Sequence, residues 1–429
     1  MRRVLLLATT TGYQTRMFGE AAERMGVELV FATDRCDMLE DPWHDRAIPV
    51  RFHEEDKSVA AILAHAKANP IDGILVVGDR PTVIAATAAM QLGLRGHPPP
   101  AAASSRNKLL TRERFRDSDL LVPWFFPTST TADPAALAAM TSYPCVMKPL
   151  TLSASRGVMR ADDAASFVEA FERLRALLAS ADVRAERAGD DDSHAAILIE
   201  GFIEGWEFAL EGIMHYGALT ALALFDKPDP LDGPFFEETI YVTPSSAPEP
   251  MQWDILDAVS RAAAALGLTH GPVHAECRVN DRGVYVLEVA ARPIGGLCAK
   301  SLRFQHEGKG PKVSLEEILL RHALGESPDG WRREAEASSL MMIPIPRRGV
   351  FRGADGLDDA KAVPGVDDIR ITAKADQVLV PLPEGASYLG FIFARGLTAE
   401  DAERAVRDAH ARLRFTIDPE VPVIESKNG

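Results

Sequence analysis

The chain has 429 residues, 46% hydrophobic and 25% charged, a composition that suits two to four folded domains and excludes a disordered or fibrous protein. Its 47 Lys and Arg against 62 Asp and Glu give a net charge of −15, which argues against a nucleic-acid partner but leaves room for a small anionic ligand held by local cations. The apolar run at residues 4–8 falls short of the about 7–15 residues of a secretory signal and the about 20 of a membrane helix, so a cytoplasmic protein without a membrane partner is expected.

In chain order, residues 4–8 read as a buried strand, 15–25 as a helix, 28–33 as a strand and 47–52 as a weaker one. A helix at 57–68, a strand at 73–77 and a helix at 81–92, opened by a proline, complete an alternation that predicts a parallel sheet covered on both faces. No G-x-G-x-x-G follows the first strand, where the sequence is Ala8-Thr9-Thr10-Thr11-Gly12, so a dinucleotide is not expected. The prolines at 98–100 mark a linker, after which 104–115 reads as one helix carrying Arg106, Lys108, Arg112 and Arg114.

A breaker-rich stretch at 122–134 precedes a short strand at 143–149, ended by proline, and then an amphipathic helix at 167–178. Residues 185–193, with Asp190-Asp191-Asp192, read as a mobile surface loop. Strands at 196–200, 207–214 and 219–225 lead to a helix at 251–266 and a hairpin, 273–279 and 284–289, turned through 281–283. The tail holds strands near 340–345, 366–371, 377–380 and 388–394 and a helix at 399–413. Three units result: an α/β head at 1–100, a central mixed region at 101–335 and a small α+β part at 336–429. The four cysteines, Cys36, Cys145, Cys277 and Cys298, form no C-x-x-C pair and read as free thiols.

The chemistry concentrates in the central region. Side chains alternate along a strand, so Glu276 and Glu288 on the hairpin can point the same way among Val273, Val279, Val286 and Val289. Two neighbouring carboxylates in apolar surroundings need a cation, and Mg²⁺, which favours hard oxygen ligands, is the expected one. The opposing reading is an ordinary solvated hairpin. Upstream, Glu200-Gly201-Phe202-Ile203-Glu204-Gly205-Trp206-Glu207 interrupts two strands with a glycine-flanked connector whose backbone can read a base edge, with Glu207 able to accept ribose hydroxyls. Lys108 and Lys148 supply cations, and the small, hydroxyl-rich 151–157 loop can fold amides over a phosphate. Singly, each lysine is more often a solvated surface residue, and many turns look like the 151–157 loop.

Their order is more specific: a lysine, a lysine with a small-residue loop, E-G-x-x-x-G-x-E, then two glutamates separated by eleven residues and Arg292. Here the sequence resembles the ATP-grasp superfamily, over roughly 101–304. The resemblance implies an N-terminal doubly wound parallel α/β domain followed by a two-lobed ATP-grasp fold, its small lobe inserted at about 122–203, and a small α+β C-terminal part. It implies ATP and Mg²⁺, with Mn²⁺ as a substitute. Lys108 and Lys148 would meet phosphates, and the lid would be 153–157, including Ser153, Ser155, Arg156 and Gly157. Glu200 with the Phe202 and Ile203 backbone would meet adenine, Glu207 the ribose, and Glu276 and Glu288 the metal. The family often has Asn two residues after the second metal glutamate, where this chain has Ala290, which leaves the number of metal ions open.

Within the superfamily the sequence is most similar to L-amino-acid ligases, through Ala291-Arg292-Pro293-Ile294-Gly295-Gly296, Phe235-Phe236-Glu237-Glu238-Thr239 and the 388–394 segment. That likeness implies a carboxylate–amine ligase with small-molecule carboxylate and amine substrates: a carboxylate, expected to be an amino acid's, becomes an acyl phosphate and passes to an amine. Glu238 would meet a substrate ammonium and Arg292 a carboxylate or acyl phosphate. His274, on the face of Glu276, is either a substrate contact or a structural histidine. A bicarbonate-activating carboxylase and a non-catalytic ATP-binding regulator are the alternatives, and the oligomeric state, a homodimer included, stays open.

Overall fold

The computed structural model describes residues 1–9, 13–34, 47–185 and 192–420. Cys36, Asp190 and Asp191 lie outside the described residues, as does most of the loop expected at 185–193. Alternation within Arg3–Ala8 sets the first domain: Val4, Leu6 and Ala8 join a core with Phe18 and Ala21 of the Tyr13–Met25 helix, while Leu5 and Leu7 join the opposite core with Val59, Ile62 and Ile84. Both faces are therefore covered, as a parallel sheet requires. The strands run in the order Ala47–Pro49, Glu28–Thr33, Arg3–Ala8, Gly73–Val77, all parallel.

Residues 104–115, expected as one helix, belong to two, Pro99–Arg106 and Lys108–Asp117. Asn107 makes the break. Its extended backbone leaves the helical path, and its side-chain oxygen accepts from the amides of Leu109 and Leu110 at 3.0 and 3.2 Å, capping the second helix. The small lobe is a four-stranded antiparallel sheet ordered Phe125–Ser129, Ala196–Gly201, Cys145–Pro149, Met159–Ala161. The breaker-rich 122–134 stretch thus supplies its edge strand. Helix Ala164–Leu178 lays Phe167, Phe171, Leu174 and Leu178 into the lobe's core, the spacing of one helix face.

The large lobe is built on one antiparallel eight-stranded sheet: Gly283–Ala290, Gly271–Asn280, Trp206–His215, Ala218–Lys227, Ile240–Thr243, Ala337–Ile343, Gly390–Gly396, Val366–Ile371. Helix Glu249–Leu266 covers its first half through Ile255, Val259, Ala262 and Leu266. Helix Ala399–His410 covers the second half through Ala405, Val406 and Ala409. Three strands of the tail, Ala337–Ile343, Gly390–Gly396 and Val366–Ile371, therefore extend the central sheet through Ile240–Thr243, a strand with no counterpart in the sequence reading, while Val378–Leu379, Gly349–Asp355 and Arg414–Asp418 form a small sheet of the tail's own. Helix Leu315–Ala323, likewise unread, buries Leu315, Ile318, Leu319 and Leu320 in the core shared with the first domain. It comes so near Gly73 that a Cβ there would lie 2.6 Å from the Ala323 carbonyl oxygen.

Candidate active site in the cleft between lobes

A cleft of about 440 Å³ lies between the two lobes and is lined as well by Thr9, Gly78 and Asp79 of the first domain and by Tyr388 and Phe391 of the tail. The position of its acids depends on one irregularity. In the hairpin, Asn280 pairs with Gly283 and Cys277 with Val286, a register that would set Glu276 opposite Leu287. A β-bulge inserts one residue, and Glu276 instead faces Glu288. Arg112 holds the bulge. It is 2% exposed, and its guanidinium donates to the carbonyls of Val286 and Leu287 at 3.2 and 2.8 Å.

The same guanidinium forks onto Glu200, at 2.7 and 3.1 Å, and Lys148 Nζ donates to Glu200 at 2.5 Å. Burial alone would raise the Glu200 pKa, but the two cations outweigh it and hold the carboxyl at about 2. Burial lowers the Lys148 pKa against the pull of Glu200. Lys108, first residue of its helix, donates to the Leu152 carbonyl at 2.6 Å, so both predicted lysines border the cleft and its lid. Glu200 is thus a partner of cations, with both oxygens engaged. The connector after it is also largely engaged: the Phe202 amide donates to the Pro144 carbonyl at 3.1 Å, and Arg278 donates to the Ile203 carbonyl at 2.6 Å. The Phe202 ring lies under the Arg160 and Arg278 guanidiniums at 4.2 and 5.0 Å.

The unforeseen centre of the acidic side is Lys227. Its buried ammonium donates to Glu207 at 2.8 Å and Glu238 at 2.5 Å and pairs with Glu276 at 3.5 Å. Burial opposes its charge, yet the three carboxylates raise its pKa well above the ordinary value. The ammonium next to Glu238 is accordingly the chain's own, and Glu207 is paired on both oxygens, the second by Arg278 at 2.8 Å. Burial and the Glu276 charge raise the Glu238 pKa; burial would raise that of Glu276 too, but Lys227 and His274 lower it.

His274 donates from Nδ1 to the buried Glu211 at 3.1 Å, and its Nε2 stands 3.7 Å from Glu276. Burial disfavours the imidazolium, but the two carboxylates prevail and raise its pKa to about 9. Glu211 also accepts the Ile294 amide at 3.0 Å, which fixes the start of the 294–296 turn. Arg292 reaches across to the first domain and forks onto Asp79 at 2.8 and 3.0 Å. Asp79 follows the carboxyl end of the Gly73–Val77 strand, where open parallel sheets place their ligands, and that position was its available signal. Lys227 had a weaker one, a lysine that, with Asp226, closes a largely apolar strand.

The lid divides. Ser153, Ala154 and Ser155 line the cleft, with Ala154 and Ser155 at φ of 55° and 53°. Arg156 and Gly157 turn the other way. The Gly157 amide donates to the Pro383 carbonyl at 2.8 Å, and Arg156 donates to the Glu384 carbonyl at 2.8 Å and to Asp182. Both residues therefore tie the lid to the tail and are not cleft-lining groups. Cys145, Cys277 and Cys298 are free and buried, and burial pushes the Cys277 thiol far above the usual range, which leaves it inert.

Cations on one side and facing carboxylates on the other suit a polyanion carried with a hard divalent cation. The Glu276–Glu288 pair offers only oxygen donors, the set Mg²⁺ or Mn²⁺ takes, and repulsion from Glu288 acts to raise the Glu276 pKa, which a cation between them would relieve. Among the described residues no helix is long and apolar enough to cross a membrane.

Comparisons with known proteins agree with this geometry. A family model of the ATP-grasp domain matches residues 141–301, one of the ATP-grasp N-terminal domain matches 19–96, and one of the L-amino acid ligase C-terminal domain 2 matches 341–418. The fold is similar to the crystal structure of an L-amino acid ligase from Bacillus licheniformis, with a TM-score of 0.82 and 27% identity over 97% of this chain and 99% of that one. An uncharacterized protein of Sinorhizobium fredii is 23% identical over 98% of this chain and 84% of its own length. A formate-dependent phosphoribosylglycinamide formyltransferase of Cupriavidus necator is 25% identical over 68% of this chain, which spans 66% of that relative. The chain belongs to the ATP-grasp superfamily of ligases that form C–N bonds, with the architecture of the L-amino acid ligases.

Proposed function

We propose that the protein is an ATP-dependent carboxylate–amine ligase that activates an amino-acid carboxylate as an acyl phosphate and transfers it to an amine. The observation that carries the reading is the bulged hairpin, which sets Glu276 opposite Glu288 in the cleft that Lys108, Lys148 and the 153–155 segment also line. In the proposed reaction a carboxylate oxygen attacks the γ-phosphorus of ATP, ADP leaves, and an amine then displaces phosphate from the acyl phosphate. Glu276 and Glu288 would hold Mg²⁺, which when bound offsets charge on the phosphates.

The chain's own groups position and neutralise. Lys108 and Lys148 sit where they meet phosphate oxygens, and Glu200 keeps Lys148 in place. Arg292, steadied by Asp79, presents a cation to the carboxylate undergoing transfer. His274, held by Glu211, fixes Glu276. The lid residues Ser153 and Ser155 cover the reacting phosphate and exclude water, which protects an acyl phosphate from hydrolysis. Glu238 takes part through Lys227, as a member of the buried charge cluster.

Purified protein incubated with ATP, Mg²⁺ and pairs of amino acids tests the reading. Release of ADP and phosphate that needs an amino acid, with a dipeptide or amide in equal amount, is the expected result. Release stimulated by bicarbonate alone, or tight ATP binding without turnover on any acceptor, would overturn it.

A further inference from the structure

Three histidines meet far from the cleft. His215 ends the Trp206–His215 strand, and His270 precedes the neighbouring Gly271–Asn280 strand, whose Gly271 pairs with Met214. His322 joins them from the last turn of helix Leu315–Ala323. His215 Nδ1 lies 3.1 Å from His322 Nε2, and the His270 ring stacks on that of His322 at 4.2 Å. One ligating nitrogen from each ring lies within 4.8 Å of the other two. His270 is 7% exposed, and among the described residues neither of its ring nitrogens has a partner. Buried polar groups in folded proteins are as a rule hydrogen-bonded, so a buried ring with both nitrogens free is a ready donor to a ligand.

We infer that His215, His270 and His322 form a binding site for one Zn²⁺ ion. Neutral imidazoles are the commonest ligands of zinc, and an all-nitrogen set favours it over Mg²⁺. Zn–N bonds of 2.0–2.1 Å set tetrahedral ligands about 3.3–3.4 Å apart, close to the His215–His322 separation, and a His270 nitrogen lies within 4.8 Å of a ligand atom of each of the other two rings. His215 is only half-buried, which leaves the fourth position open to water. Three other groups face the cluster: the Tyr216 ring, 4.6 Å from that of His215 and 5.3 Å from that of His270, then Arg95 and His97. Arg95 rests on the Tyr216 ring at 5.2 Å, a cation whose charge the ion must tolerate. His97 is already committed: Nδ1 accepts the Thr269 amide at 3.2 Å, so Nε2 carries the proton and donates to the Pro272 carbonyl at 3.1 Å. The ion would join a helix packed on the first domain to two strands of the large sheet.

The test uses the whole protein without a polyhistidine tag, stripped with chelator and titrated with Zn²⁺ in excess Mg²⁺, which occupies carboxylate sites. One equivalent bound at micromolar affinity or better, with a raised melting temperature, is expected. His215→Gln and His270→Gln should each weaken binding by more than about 100-fold, beyond the loss typical of supporting residues around a metal. Co²⁺ in place of Zn²⁺ should give the intense visible bands of a four-coordinate site in the unmutated protein, a readout that does not depend on how the variants fold. Absence of stoichiometric Zn²⁺ binding, undiminished affinity in both variants, or a weak six-coordinate Co²⁺ spectrum would overturn the inference.

Discussion

Replacing Glu276 or Glu288 by Gln keeps the side-chain volume and removes one charge from the facing pair. Turnover in either variant is expected to fall at least about 10²–10³-fold with the melting temperature little changed, and single-turnover kinetics with ATP and amino acids will show it. Arg112 sets a different balance. Arg112→Ala leaves Glu200 buried with one cation fewer and frees the bulge carbonyls, so a loss of about 3–5 kcal/mol in urea unfolding is expected together with lost turnover. Two pH effects have opposite signs. Glu200, held at about 2 against an ordinary 4.5, contributes stability that is complete above pH 4.5 and vanishes as pH falls toward 2. His274, raised from 6.5 to about 9, contributes stability that is complete below pH 6.5 and is lost as pH rises through 9. Thermal unfolding of His274→Gln should therefore match that of the parent more closely at pH 9.5 than at pH 6.

At the scale of single elements, the hairpin was legible because two apolar strands flank a two-residue turn, but the facing of its glutamates does not follow from that turn. Strict alternation from that turn would have sent Glu276 and Glu288 to opposite faces. The inserted residue that reunites them left no mark in the sequence, because its support, Arg112, lies some 175 positions upstream. Asn107 is the reverse case. An Asn between two helical stretches is a standard cap residue, yet with no Gly or Pro between Ser104 and Phe115 the break was concealed, and Asn107→Ala should cost about 1 kcal/mol in denaturant unfolding. Arg156 and Gly157 were misplaced for a third reason: their partners, Pro383 and Glu384, come from the far end of the chain, and no local pattern announces a contact at that separation.

Across the whole molecule, the head, the central lobes and the tail all contribute to one cleft. The alternating head, the small lobe and the order of motifs were readable because each depends on residues close in sequence. Lys227 and Asp79 were not, because the partners that give each its role stand on other elements distant in sequence. Asp79→Asn should weaken the hold on Arg292 and lower turnover while leaving ATP affinity near that of the parent, a separation that equilibrium binding and steady-state rates will measure together. The shared eight-stranded sheet carries a last consequence. A polypeptide severed near residue 336 would expose Ile240–Thr243, a strand of four buried residues, as a bare margin with unpaired amides and carbonyls. Such fragments would adhere to one another margin to margin, so the first 335 residues will not serve as a free-standing catalyst, and the tail is retained by the same ladder that completes the pocket.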